Sequence, residues 1–194
     1  MRAPDTVTIA ITFADGSVGL MRFITAEYGA DGTPTWTRQA TKGTVDAEIA
    51  RAQWRPELLP IKGWRPVAES DVPKDRTYRN ALRDTGSALV HDLDAVKALA
   101  LAQLRQDRAV MFGDLDWQWN RAMGQGDTDG AAAIEAQRQA LRDLPATVQP
   151  DLDAAAAPED VTAACVPAIA AAKTAMAKAN IKPGGAVAAP LKTA

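Results

Sequence analysis

Apolar and polar residues alternate along the first thirty positions in the pattern of two β-strands. Every second residue between 6 and 13 is apolar, and a similar alternation returns between residues 18 and 24. The segment between them contains Asp15-Gly16, a pair that favours tight hairpin turns. A second Asp-Gly pair precedes a further β-prone segment around Trp36. The pattern predicts a small antiparallel sheet whose apolar face needs a helix or a partner protein to cover it.

A short helix and a proline-rich segment should follow the sheet. Residues 44–52 carry apolar side chains at helical spacing, with Thr44 as the expected N-cap. Prolines then interrupt the chain up to residue 73, so we expect it to be extended and irregular, with 61–67 as a candidate edge strand. We assign residues 1–72 to a small antiparallel sheet domain and residues 73–90 to a connector.

Residues 91–145 carry two segments of helical period on either side of a glycine-rich break, which predicts an antiparallel helical hairpin. Gly113 is a candidate bend in the first helix. Asp127 or Thr128 is placed to cap the second helix, and Pro145 is placed to end it. The apolar stripe of the first helix comprises Leu93, Val96, Ala100, Leu104, Met111, Leu115 and Ala122.

Alanine dominates the last part of the chain. Pro158 and Pro167 are placed to open two short helices within residues 146–181, and residues 182–194 are expected to form a flexible or extended tail. The apolar face of these helices consists mostly of methyl groups, so it should be weakly held unless another chain covers it. The whole chain is therefore expected to have an α+β fold.

Composition limits what the protein can do alone. Hydrophobic residues make up 47% of the chain and aromatic residues only 5%. Because much of the apolar fraction is alanine, the core should be small and completed by partners. A net charge of −2 argues against binding to nucleic acid, and no segment is apolar enough to predict a membrane helix. Cys165 is expected to be a small buried side chain, with a reactive thiol as the alternative.

Residues with catalytic potential are few. His91 is the only histidine, and no nucleophile motif accompanies it. Residues 126–130 are similar to the start of a calcium loop but lack the later ligands, so a solvated turn with capping carboxylates is expected. The sequence predicts a non-enzymatic protein with no catalytic, cofactor or metal site.

Candidate interaction residues are aromatic, arginine or apolar. Trp54 and Trp64 are expected to anchor packing, with a ligand cage as the alternative. Arg76, Arg79 and Arg83 are candidates for an anion site, although ion pairs with Asp75, Asp84 and Glu69 are the favoured interpretation. The interaction candidates are Trp54, Trp64, Arg76, Arg79, Leu104, Met111, Phe112, Trp117, Trp119 and Leu141.

Two segments resemble bacteriophage proteins. Residues 75–82 (DRTYRNAL), followed by residues 91–97 (HDLDAVK), resemble a connector and helix of small phage and prophage proteins encoded among structural genes. Residues 138–145 (RQALRDLP) are similar to the C-terminal module of phage tail and tail-fibre assembly proteins. The resemblance transfers no catalytic residues.

The resemblance implies a virion structural protein of a tailed phage, an adaptor or accessory component of the tail or fibre region. It would be assembled in the bacterial host cytoplasm, and its partners would be other phage structural proteins and copies of itself. The alternatives are a transient tail-fibre assembly chaperone and a small phage enzyme or regulator.

Overall fold

The computed structural model describes residues 2–52 and 60–179 and confirms the α+β fold. The chain falls into two compact units that divide between Val96 and Lys97. We call the first the sheet unit and the second the helical unit, and describe each by itself.

The sheet unit is built on a four-stranded antiparallel sheet with the strand order β3-β2-β1-β4. The alternating segments at the start of the chain form a hairpin, as predicted, and Gly16 in its turn has φ 81°. The predicted strand around Trp36 is present, and the candidate edge strand over residues 61–67 lies at the sheet edge. The strands are β1 (Asp5–Phe13), β2 (Val18–Tyr28), β3 (Pro34–Thr37) and β4 (Ile61–Val67).

Helix α1 (Lys42–Ala52) covers one face of this sheet, as the sequence predicted. Its buried Val45 and Ile49 pack with Phe23 and with the side chains of β1 that share that face. The predicted N-cap was wrong, because the backbone carbonyl of Thr41 accepts the first helical hydrogen bond, from Val45 N at 3.0 Å. Thr44 lies three residues further on, where its Oγ1 accepts from Thr41 N at 3.0 Å.

The opposite face of the sheet is covered by a two-stranded ribbon that the sequence analysis missed. Strands β5 (Leu82–Asp84) and β6 (Leu89–His91) pack Leu82 and Leu89 against Ala10 and Val67. The whole segment that we expected to be a connector, residues 73–90, therefore belongs to the sheet unit. Three-residue strands are too short to show the alternation that identifies a strand.

Two ion pairs attach the ribbon to its surroundings. The guanidinium of Arg65 on β4 donates from Nε and Nη2 to the carboxylate of Asp84, at 2.8–3.0 Å. Arg83 pairs with Asp92 at 3.4 Å. Ion pairing of this segment was expected, but the partner of Asp84 is an arginine on β4 rather than one within the segment itself.

The helical unit contains a hairpin of two long helices and a third helix. Helix α2 (Leu93–Gly124), which begins just before the division, is unbroken at Gly113. It runs antiparallel to α3 (Thr128–Ala154), since Lys97 Nζ lies 3.4 Å from Asp153 O and Asp116 Oδ1 lies 2.7 Å from Arg138 Nη2.

Helix α3 passes through Pro145 and Pro150, so the predicted end at Pro145 was wrong. Proline has no N–H, which leaves the carbonyl of Leu141 without its usual helical donor. Arg108 Nη1 on α2 donates to this carbonyl at 3.2 Å and to the carbonyl of Arg142 at 3.1 Å. A side chain of α2 thus replaces the backbone donor that Pro145 lacks.

A single helix, α4 (Pro158–Ala179), replaces the two short helices that we expected in the alanine-rich segment. It runs through Pro167, and its buried residues Val161, Cys165 and Ile169 follow a four-residue step. Helix α4 packs against α3. Its first half is covered within the chain, whereas no described residue after Ile169 is buried.

Candidate interaction surfaces

Three of the candidate interaction residues lie inside the helical unit. Leu104, Met111 and Leu141 are 1%, 5% and 3% exposed. Their side chains cannot reach a partner in this structure, so their role is packing, and the expectation of a contact role is corrected. Trp54 lies outside the described residues.

Trp64 joins β4 to α1. It packs against the core between the sheet and α1, and its Nε1 donates to Asp46 Oδ1 at 2.6 Å. Hydrogen bonds from Lys42 and Trp64 lower the pKa of Asp46. Trp64 also lines an open groove of about 550 Å³, whose described lining contains no second aromatic ring. The geometry fits the predicted packing anchor.

Arg76 and Arg79 are exposed and line a cavity of about 410 Å³ beside the β1–β2 turn. Among the described residues, neither guanidinium lies within 4.0 Å of a carboxylate. Asp15, on the cavity wall, accepts from the side chain and backbone of Ser17, which lowers its pKa. The structure keeps these two arginines as a candidate anion site and assigns Arg83 to Asp92.

Two aromatic candidates on α2 are half-buried and lie near arginines. The guanidinium carbon of Arg108 is 5.9 Å from the ring centre of Phe112, and that of Arg138 is 5.7 Å from the ring centre of Trp119. Arg138 also pairs with Asp116 on α2, so Trp119 lies beside the contact between α2 and α3. Both rings therefore contribute to packing of the hairpin.

Trp117 differs from these rings because 63% of its surface is exposed. Its row on α2 continues at steps of four and three residues, and every residue in the row is exposed and uncharged. We call this row the α2 stripe; it comprises Gln106, Val110, Gly113, Trp117, Asn120 and Gly124.

Sequence reasoning found Trp117 and missed the other five residues of the stripe. Val110 is 72% exposed, although it is an apolar residue on a helix with a well-defined buried face. The signal was available as a run of uncharged positions at 4-3 spacing on a helix that carries charges elsewhere. A search for apolar side chains alone does not detect it, because four of the six residues are glycine, glutamine or asparagine.

The remaining chemical candidates have structural roles. Asp127 caps α3 by accepting from Gly130 N at 2.9 Å, which confirms the expected capping turn. Cys165 is buried, as expected, and its burial raises the pKa of the thiol. Within residues 2–52 and 60–179, no group of three or more His, Cys, Asp or Glu residues is placed to hold a metal ion. None of the described helices combines the length and apolar character needed to cross a bilayer.

Comparisons with protein-family models, with curated proteins and with solved structures find no match to this chain.

Proposed function

We propose that this protein is a non-enzymatic docking component of a tailed-bacteriophage particle, an adaptor or accessory protein of the tail or fibre region. The observation that carries the docking role is the α2 stripe, where Trp117 and Val110 are 63% and 72% exposed. Burial of a large apolar side chain contributes roughly 1.5–3 kcal/mol, so a partner that covers both side chains gains binding free energy from them.

The phage setting is supported by the resemblance of residues 75–82, 91–97 and 138–145 to phage structural and tail-assembly proteins. In the structure the first of these segments includes Arg76 and Arg79 of the cavity wall. The last includes Leu141, whose carbonyl accepts from Arg108, and Arg138, which pairs with Asp116. The first segment thus contributes to a candidate anion site in the sheet unit, and the last contributes to the contact between α2 and α3 in the helical unit.

The test is quantitative mass spectrometry of particles purified from the phage that encodes this chain. We expect the chain at a fixed ratio to the tail proteins, retained after high-salt washing. The lysate before purification is the control for expression. A chain abundant in the lysate and absent from the particles would contradict a structural role and would favour the transient tail-fibre assembly chaperone.

A further inference from the structure

We propose that the α2 stripe binds the same stripe of a second copy of this chain, with the two α2 helices antiparallel and Trp117 of each copy against Gly113 of the other. This inference rests on the docking function proposed above and names one partner for it.

The first support is the shape of the stripe. A twofold axis midway between Gly113 and Trp117 brings each of these residues opposite the other in the second copy. Trp117 is the largest side chain of the stripe, and a Cβ added to Gly113 would have nothing within 4 Å. The glycine therefore leaves space for the indole of the second copy.

The same axis matches the rest of the stripe. It places Val110 opposite Asn120 and Gln106 opposite Gly124, so each larger side chain faces a smaller or shorter one. The overlap runs from residue 106 to residue 124, which is about 27 Å of helix at 1.5 Å per residue. No charged residue lies within the stripe itself, so its centre buries no charge.

Charges beside the stripe favour the antiparallel orientation. Asp107 and Arg121 lie on the same border of α2, eight and six residues from the midpoint at position 115. In an antiparallel pair Asp107 of one copy lies opposite position 123 of the other, two residues from Arg121, so the opposite charges approach along this border, and the approach occurs twice. A parallel pair would instead place like charges together and Trp117 against Trp117.

One charge on that border opposes the pairing. Asp114 lies next to the axis, so the carboxylates of the two copies approach each other there. Removal of this charge should strengthen the dimer, an effect that damage to the fold could not produce.

The experiment measures the mass of the purified full-length chain by sedimentation equilibrium over a range of concentrations. We expect a reversible monomer–dimer equilibrium. Gly113→Leu fills the space needed by Trp117, and it should raise the dissociation constant at least tenfold. Leucine favours a helix over glycine, so the monomer should be no less stable. Ala98→Leu, at an exposed position of α2 outside the overlap of residues 106–124, is the matched control and should leave the equilibrium unchanged.

The charge contacts are tested by reversal. Asp107→Arg or Arg121→Asp should each weaken the dimer roughly fivefold, and the double variant should restore it, because exposed ion pairs contribute up to about 1 kcal/mol each. Asp114→Ala should tighten the dimer.

The orientation is tested by oxidative cross-linking of Val110→Cys mixed with Asn120→Cys, two stripe positions that the axis places opposite each other. Antiparallel pairing predicts a disulfide between the two different variants, whereas parallel pairing predicts a disulfide between identical chains.

The proposal would be overturned by a chain that stays monomeric at concentrations of roughly 100 micromolar. It would also be overturned by a dimer whose dissociation constant Gly113→Leu leaves unchanged. A monomeric chain that is still recovered in particles would overturn the dimer and leave the docking function standing. A dimer in solution whose chain is absent from particles would overturn the docking function and leave the dimer standing.

Discussion

The two units of this protein differ in how far their apolar side chains are buried within the chain. The central strand of the sheet unit is buried on both sides, since the adjacent residues Ile9 and Ala10 point to opposite faces and are both 0% exposed. The longest helix of the helical unit is buried on one side only and leaves Val110 and Trp117 in solvent. The sheet unit leaves Trp36 and Val90 only 37% and 43% exposed, whereas the two side chains of α2 are 72% and 63% exposed.

This difference bears on the docking function proposed above. The sequence led us to expect that a helix or a partner would cover the sheet, and α1 and the β5–β6 ribbon cover it within the chain. The face of α4, expected to be weakly held without a partner, packs on α3 and is buried at Val161, Cys165 and Ile169. The exposed apolar side chains of α2 have no such cover in the described part of the chain.

The largest effect is expected from Leu104→Asp in the helical unit. Leu104 is 1% exposed, so the variant loses a buried leucine and buries a carboxylate, at a combined cost of about 5 kcal/mol. We expect a loss of helical circular dichroism and of amide protection in α2 and α3. The amides of β1 and β2 should stay protected, because the two cores of the sheet contain no residue of α2.

Ala109→Asp adds the same carboxylate at an exposed position of the same helix and serves as the control. Its spectrum should match that of the unchanged chain. An unaltered spectrum for Leu104→Asp as well would mean that the buried face of α2 is wrongly assigned.

A smaller effect, confined to the sheet unit, is expected from Asp84→Asn. The side chain of Asp84 is 7% exposed, and its ion pair with Arg65 joins the ribbon to β4. Loss of the charge leaves Arg65 unpaired, so we expect a loss of about 3 kcal/mol in the free energy of unfolding at pH 7. Urea unfolding followed by tryptophan fluorescence measures it.

The pH dependence gives a second check. Hydrogen bonds from Arg65 hold the pKa of Asp84 below its usual value. The stabilisation is therefore fully present above the unfolded pKa of about 3.9 and disappears as the pH falls through the lower folded value. The difference between the original chain and Asp84→Asn should shrink over that range. A constant difference would contradict the ion pair, and Asp94→Asn, at an exposed carboxylate, is the control.

The smallest effect concerns the helix that passes through proline. Arg108→Met removes the donor to the carbonyls of Leu141 and Arg142, so we expect a cost of about 1–2 kcal/mol. In a Pro145→Ala background the alanine N–H can bond to Leu141 O, and the same substitution should cost less than about 0.5 kcal/mol. Chemical denaturation of the four chains gives the coupling. Additive effects would show that Arg108 does not replace the missing donor.

The candidate residues show what hydrophobicity can and cannot predict. Leu104, Met111, Leu141 and Trp117 were selected for the same property, yet the first three are buried and Trp117 is exposed. A sequence shows that a side chain favours burial, but not whether its own chain or another one buries it. The same limit applies to predicting the partners of charged residues, since only the fold reveals that Asp84 pairs with Arg65 on β4.

The local periodicity of the sequence was sufficient to predict the longest elements of this protein. Alternation was sufficient for the β1–β2 hairpin, and the 3.6-residue period was sufficient for the buried stripe of α2, because both depend on neighbouring residues alone. The tertiary structure decided the rest. Packing against the sheet places two three-residue strands on its second face. Helix α3 continues through Pro145, where Arg108 of another helix supplies the hydrogen-bond donor. These outcomes depend on contacts between residues that are distant in the sequence. Such contacts offset the local cost of a short strand or of a proline inside a helix, and the sequence by itself shows only that cost.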